Sequence, residues 1–225
     1  MKTNQEYKNA ALAALKGNWA PAVLMTVLLF IIIGVTVTPQ VMWPYFLDLT
    51  DPSVFPLLLG ISGVTTIVYI LLYFPLTYIG YYNSCRLLYE NGDDQMITNF
   101  FKLTFKNYWH NVWVCFLMTL KVALWAVLFI IPGIYKALQY SMTPYIAVEH
   151  PELSAKEAIA MSRRMTKGHI WDLFLLGLSF IGWILLGFFT LGIGYYWLLP
   201  YMYTTYAAFY GDLKAEYLVG ESSGA

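Results

Sequence analysis

The chain has 225 residues, of which 59% are hydrophobic and 12% charged, with a mean hydropathy of +0.58. A water-soluble globule of this composition would lack polar surface to cover itself, so the class expected is an integral membrane protein. Formal net charge is zero and there is no long basic tract, which argues against nucleic acid as a main partner. The apolar runs are unbroken rather than alternating, so helices fit and a β-barrel does not, and the expected fold is all-α.

Residues 4–16 predict a short helix with Tyr7, Ala11, Ala14 and Leu15 on one side and Lys8 on another. The apolar run from Trp19 to Val37 exceeds the core of a signal peptide, and no small-x-small cleavage site follows it, so an uncleaved first span is expected. The stretch TPQVMWPYFLDLTDPSVFP has prolines and aspartates but no lysine or arginine. It is expected to cap the far side as a loop or broken half-helix, with Trp43, Tyr45, Phe46 and Phe55 in the interfacial belt. A second span follows from Leu57 to Tyr82, kinked at Pro75 and continuing to Tyr89, before ENGDD ends it.

Residues 95–108 predict an interfacial helix with Ile97, Phe101, Thr104, Phe105 and Tyr108 on one face and Lys102 and Lys106 elsewhere. A third span runs from Trp109 to Ile131, with a tight turn at Pro132–Gly133 and a short fourth span from Ile134 to Val148. Then SAKEAIAMSRRMTKGH places Lys156, Arg163 and Lys167 on one helical stripe and Ala155, Ala158, Ile159, Ser162 and Met165 on another. From Ile170 to Gly211 the only ionisable acid or base is Asp172, a length that accommodates two spans of about 20 residues each. The expectation is six transmembrane helices in three hairpins, each preceded by a cytoplasmic amphipathic helix, forming a single membrane domain over 1–225.

Lys16-Gly-Asn-Trp19, Lys106-Asn-Tyr-Trp109 and Lys167-Gly-His-Ile-Trp171 each end a surface helix, which favours internal repeats over 1–92, 93–150 and 151–214. Eleven of the thirteen basic residues precede, join or follow the spans on one side. By the positive-inside rule both termini and all three surface helices are expected at the cytoplasmic leaflet, where anionic phospholipid would attract them.

Lys121 lies twelve positions after Trp109, roughly 18 Å into the membrane at 1.5 Å per residue, with no intramembrane carboxylate to pair with it. It reads either as an anion or lipid-phosphate contact with Lys136 nearby, or as a structural residue that snorkels or pairs with Asp48 or Asp51. The candidate lipid or anion contacts are Lys121, Lys136, Arg163, Arg164, Lys167, His169 and Tyr201. The absence of acids at depth argues against a proton-coupled pump. His110, His150 and His169 are too scattered for a metal site, and no acid, base and nucleophile converge. No catalytic residue, cofactor or metal is therefore expected. Cys85 and Cys115 read as small packing residues.

Ala14 through Trp19, Pro132-Gly-Ile134, Ala158 through Ser162-Arg163 to Gly168-His169, Leu178 through Trp183, Gly192-Ile-Gly194 and Pro200-Tyr201 give the chain a resemblance. It resembles a bacterial family of integral membrane proteins of unknown function, akin to the membrane domain of some glycerophosphodiesterases. The resemblance implies a multi-pass protein of the bacterial cytoplasmic membrane and no transferable catalytic residue. The function expected is non-enzymatic phospholipid binding or membrane organisation, with a membrane-protein partner or self-association as further possibilities; the alternative is a transporter or channel for a small anionic or lipid-like solute using Lys121.

Overall fold

The computed structural model describes residues 1–46, 54–92 and 95–223, and its described elements are all helices. They are α1 (Asn4–Leu15), α2 (Trp19–Phe46), α3 (Val54–Phe74), a π-helical segment (Pro75–Tyr81), α4 (Tyr82–Asn91), α5 (Met96–Phe105) and α6 (Tyr108–Leu128). The second half adds α7 (Ile130–Tyr140), α8 (Thr143–Glu149), α9 (Ala155–Met165), α10 (Ile170–Leu178), α11 (Ile181–Phe189) and α12 (Tyr195–Ser223). Asp48 and Asp51, with one of which Lys121 would pair in the structural reading, lie outside the described residues.

Among the described residues three helices are long and apolar enough to cross a membrane: Val54–Asn91, Tyr108–Leu128 and Ile170–Phe189. A fourth is added if α1 and the Trp19–Val35 part of α2, bent by 96° to each other, form one broken span. Six spans in three hairpins are not supported by length and composition. The fourth expected span divides into the 11 residues of α7 and the 7 of α8, broken just before Pro144. The sixth lies in α12, which is long enough, but its tyrosines and Pro200 lower its hydropathy.

Two local expectations also change. The turn at Pro132–Gly133 falls instead at Phe129, whose extended backbone (φ −155°, ψ 139°) separates α6 from α7. Pro132 and Gly133 belong to the first turn of α7, where proline lacks an N–H that would have no helical acceptor anyway. A Cβ on Gly133 would sit 2.7 Å from the Ala126 backbone, so glycine here permits the close crossing of α6 and α7. In the N-terminal half, α2 continues helically through Pro39 and Pro44 to Phe46, where a loop or half-helix is expected.

Pro75 opens the π-helical segment rather than a simple kink, and the Leu71 carbonyl that its missing N–H leaves free accepts from the Tyr108 hydroxyl at 2.8 Å. Beyond it the chain remains helical to Asn91, and Gly92 in the left-handed region (φ 65°) ends α4 by donating to the Leu88 carbonyl. The ends of the short helices are equally well defined. Thr3 with Glu6 and Ser154 with Glu157 form reciprocal capping boxes at the starts of α1 and α9. Each of the three elbows places a left-handed residue directly after its lysine: Gly17 (φ 88°), Asn107 (φ 54°) and Gly168 (φ 96°). The second elbow is held by the Asn111 side chain, which donates to the Lys106 carbonyl at 2.7 Å.

The core sits at the elbow end of the bundle. Around α12, Tyr145, Phe209, Tyr210 and Leu213 pack with Tyr7 of α1 and Phe180. A second cluster joins Leu15, Met25, Tyr81, Cys85 and Phe100. Away from the elbows burial fades: α3 has no buried residue, and the last turn of α6 exposes Leu124, Val127 and Leu128. Helices whose outer halves remain apolar without packing on one another are what a lipid environment permits.

The α9 stripe of Ala155, Ala158, Ile159, Ser162 and Met165 is buried, while Lys156, Arg163 and Lys167 stay exposed. On α5 the buried side is Met96, Asn99, Phe100 and Thr104, so Phe101 and Phe105 of the expected apolar face point outward. On α1, Lys8 is buried with Tyr7, Ala11 and Leu15 instead of lying at the surface. Its Nζ donates to the Ser179 carbonyl at 2.8 Å and lies 4.4 Å from the centre of the Phe180 ring, supplying a donor at the break between α10 and α11.

Candidate functional site

The feature with the clearest ligand chemistry is a cleft of about 430 Å³ between α7 and α9, lined by Tyr135, Gln139, Ala160, Arg163, Arg164 and Lys167. Its walls are fixed by one carbonyl. The Gln139 backbone oxygen accepts from Ser162 Oγ at 2.9 Å and from Thr166 Oγ1 at 3.3 Å, which seats α9 against the end of α7. Since Ser162 and Thr166 are four residues apart, they share the buried face, and Arg163 and Lys167, one residue further on, share the adjoining face. The polar clasp thereby aims the cations.

Lys136 adds a fourth positive group beside the cleft. Its Nζ donates to Gln139 Oε1 at 2.8 Å and is ringed by Trp125, Tyr135 and Tyr140 at 5.4, 5.8 and 5.8 Å from the ring centres. It also feels the repulsion of Arg163. Among the described residues none of Lys136, Arg163, Arg164 and Lys167 forms an ion pair with a carboxylate. Like charges held together by neutral hydrogen bonds leave an unmet demand for an anion. Part of the charge also complements the C-terminal end of α9, whose last turn carries Arg163 and Arg164.

The remaining candidates lie elsewhere. His169 faces a neighbouring opening of about 270 Å³ that Arg164 and Lys167 also line. Its two ring nitrogens lie 3.3 Å from Asp172 Oδ2 and 2.9 Å from Glu216 Oε1, so carboxylates already occupy it. Tyr201 packs edge-on against Phe180 and lines a separate apolar groove of about 330 Å³ with Trp19, Trp183 and Trp197. Lys121 is half-buried on α6 and has no ion pair among the described residues. A cavity of about 220 Å³ takes its neighbours Met118, Thr119 and Val122 as lining, together with Tyr78, Tyr82 and Tyr140, but not Lys121 itself.

Sequence reasoning missed a charged cluster joining α4, α8 and α12. Arg86 bonds Asn83 Oδ1 at 3.1 Å, Glu90 at 3.0 Å and Glu149 Oε1, while Lys214 and Tyr210 both reach Glu149 Oε2 at 2.8 Å. Asn83 carries the tie further by donating to the Pro144 carbonyl at 2.9 Å. Burial works to raise the Glu149 carboxyl, but the Lys214 hydrogen bond, the Arg86 charge and the Tyr210 hydroxyl outweigh it and hold the group below its usual range. With both oxygens occupied, Glu149 is a clamp rather than a base. The sequence signal was slight, a Glu directly after the apolar run Ile146–Val148, and nothing local pairs it with Arg86.

Among the described residues no group of His, Cys, Asp and Glu is arranged to hold a metal ion. Residues 120–217 match a family described as a protein of unknown function, DUF975. That segment contains the whole α7–α9 cleft and the acidic and α12 sides of the clamp. No curated protein and no solved structure matches the chain.

Proposed function

We propose that the chain is a non-enzymatic protein of the bacterial cytoplasmic membrane that binds the phosphate of anionic phospholipid in the α7–α9 cleft. The observation that carries this reading is the gathering of Arg163, Arg164 and Lys167 around one opening, beside Lys136, without a counterion among the described residues. The exposed apolar flank that continues from Tyr135 to Ile134 and Ile131 supplies a surface for the acyl chains beneath such a headgroup. Exposed Lys16, Lys102 and Lys106 on the other two feet add attraction to the same leaflet, at about 1 kcal/mol per basic residue near the surface.

In this reading both termini and all three feet lie on the cytoplasmic side, and α7–α8 and α12 return the chain to it. The left-handed residue after Lys16, Lys106 and Lys167 supports a threefold repeat of foot and elbow over 1–92, 93–150 and 151–214. The transporter reading has less support, because the cavity lined by the neighbours of Lys121 leaves that residue out.

The test is native mass spectrometry of the full chain released from mixed phosphatidylglycerol and phosphatidylcholine. The double variant Arg163→Glu/Lys167→Glu is expected to retain phosphatidylglycerol at least about tenfold more weakly, since it removes two attractions and adds two repulsions. Lys156→Glu, exposed on α9 but outside the cleft, serves as the matched control. Equal retention by the double variant, or an equal loss in the control, would overturn the site.

A further inference from the structure

The two ends of the bundle remote from the feet have unusual surfaces. At the turn between α6 and α7, Val127, Phe129 and Ile131 are 87%, 73% and 81% exposed, and at the turn between α11 and α12, Leu191 is 94% exposed with Phe189 and Ile193 beside it. Neither turn has a charged side chain. We infer that both turns are immersed in the hydrocarbon of the far leaflet instead of emerging into water beyond it.

The backbone carries this inference further than side-chain hydropathy does. In hydrocarbon a turn must satisfy its own N–H and C=O groups, whereas in water it need not, and of the two an unpaired N–H is the rarer in native proteins. From Thr190 to Tyr195 six consecutive N–H groups are all bonded within the turn: to Leu186, Phe188, Gly187 and Thr190 carbonyls, to Thr190 Oγ1 and to the Gly192 carbonyl, at 2.9–3.1 Å. Thr190, the turn's hydroxyl, is consumed too, since it donates to the Gly187 carbonyl at 2.9 Å while accepting from Gly194. A Cβ on Gly194 would meet that hydroxyl at 2.8 Å and the Gly187 Cα at 3.0 Å, so glycine there closes the turn on itself. In the other turn the Phe129 N–H reaches the Trp125 carbonyl and the Gly133 N–H reaches Phe129, while the Ile130 and Ile131 N–H groups at the start of α7 have no partner among the described residues; only exposed apolar side chains and the lack of charge place this turn with the other.

Residue choice agrees. Leu191 adopts φ 53°, a left-handed position that water-facing turns give to glycine, asparagine or aspartate. A leucine there, pointing away from the protein, is disfavoured by its backbone and gains only if its surroundings are apolar. The occupant of this surface is therefore acyl chain.

The experiment places a nitroxide at Leu191→Cys and, separately, at Ile131→Cys in full-length protein, in vesicles of phosphatidylglycerol and phosphatidylethanolamine. Both side chains are exposed enough that the substitutions leave packing intact, and Val127→Cys is a second probe of the α6–α7 turn. The native Cys85 and Cys115 are buried, so the unsubstituted chain is the labelling blank. High collision with oxygen and low collision with a polar nickel chelate is the expected result, with Lys106→Cys at an elbow giving the opposite. Access to the chelate at the turns would put them in water, and low collision with both reagents would put them against protein, such as a second copy; either overturns the inference.

Discussion

Arg86→Met is expected to destabilise the protein by about 1–3 kcal/mol, because it removes one partner of a buried ion pair and leaves Glu149 Oε1 unpaired, with only Lys214 and Tyr210 still holding the other oxygen. The side chains of Arg86 and Glu149 are only 7% and 11% exposed, so water cannot substitute for the lost contact. Three elements feel the change together, since Asn83 and Arg86 on α4, Glu149 on α8, and Tyr210 and Lys214 on α12 share one network. Detergent-solubilised protein titrated with denaturant reads the loss directly, and an unshifted midpoint would remove the clamp from the account.

The same network predicts a pH dependence. A carboxyl held below its unfolded value, about 4.3 for glutamate, adds stability above that pH and loses it as pH falls through the folded value. Glu149→Gln should therefore be less stable than the parent at neutral pH and show a flatter decline on acidification. Parallel acid limbs in the two proteins would contradict this assignment.

Gly80→Ala is the second large effect. A Cβ there would lie 2.2 Å from Thr104 Oγ1 and 2.5 Å from the Phe100 carbonyl oxygen. The hydroxyl can rotate, but the carbonyl belongs to the backbone of α5, so the foot helix must move off the π-helical segment. Overpacking of this kind costs about 1–3 kcal/mol, and adding Thr104→Ala should recover only part of it. Gly63→Ala in α3 meets nothing within 4 Å and is expected to be neutral or slightly stabilising. Thermal unfolding of the variants side by side separates the two sites.

Local signals in the sequence were sufficient for some of this and insufficient for the rest. The α9 stripes were readable because a 3.6-residue period determines which residues share a face, and burial then follows the apolar one. The elbows were readable because lysine, glycine or asparagine, and tryptophan recur there. What failed was counting spans from hydropathy: the break before Pro144 and the tyrosines of α12 reflect packing against the core, which a hydropathy run does not register. Lys8 was misplaced for a related reason, since its partner, the Ser179 carbonyl, is created by a helix break far along the chain. Of the candidate contacts, Arg163, Arg164 and Lys167 come together beside Lys136, while His169 and Tyr201 line other openings and Lys121 stands apart from all of these. The first three share one helix end, so periodicity alone could group them; the others depend on tertiary neighbours.

One-sided labelling bears on the central claim that the basic feet share a leaflet. Lys16→Cys, Lys106→Cys and Lys167→Cys each replace an exposed elbow lysine, and the native thiols are buried. With a membrane-impermeant maleimide added to sealed vesicles of known orientation, all three should react from the cytoplasmic face and from that face alone. Reaction of any one of them only from the opposite face would contradict the account.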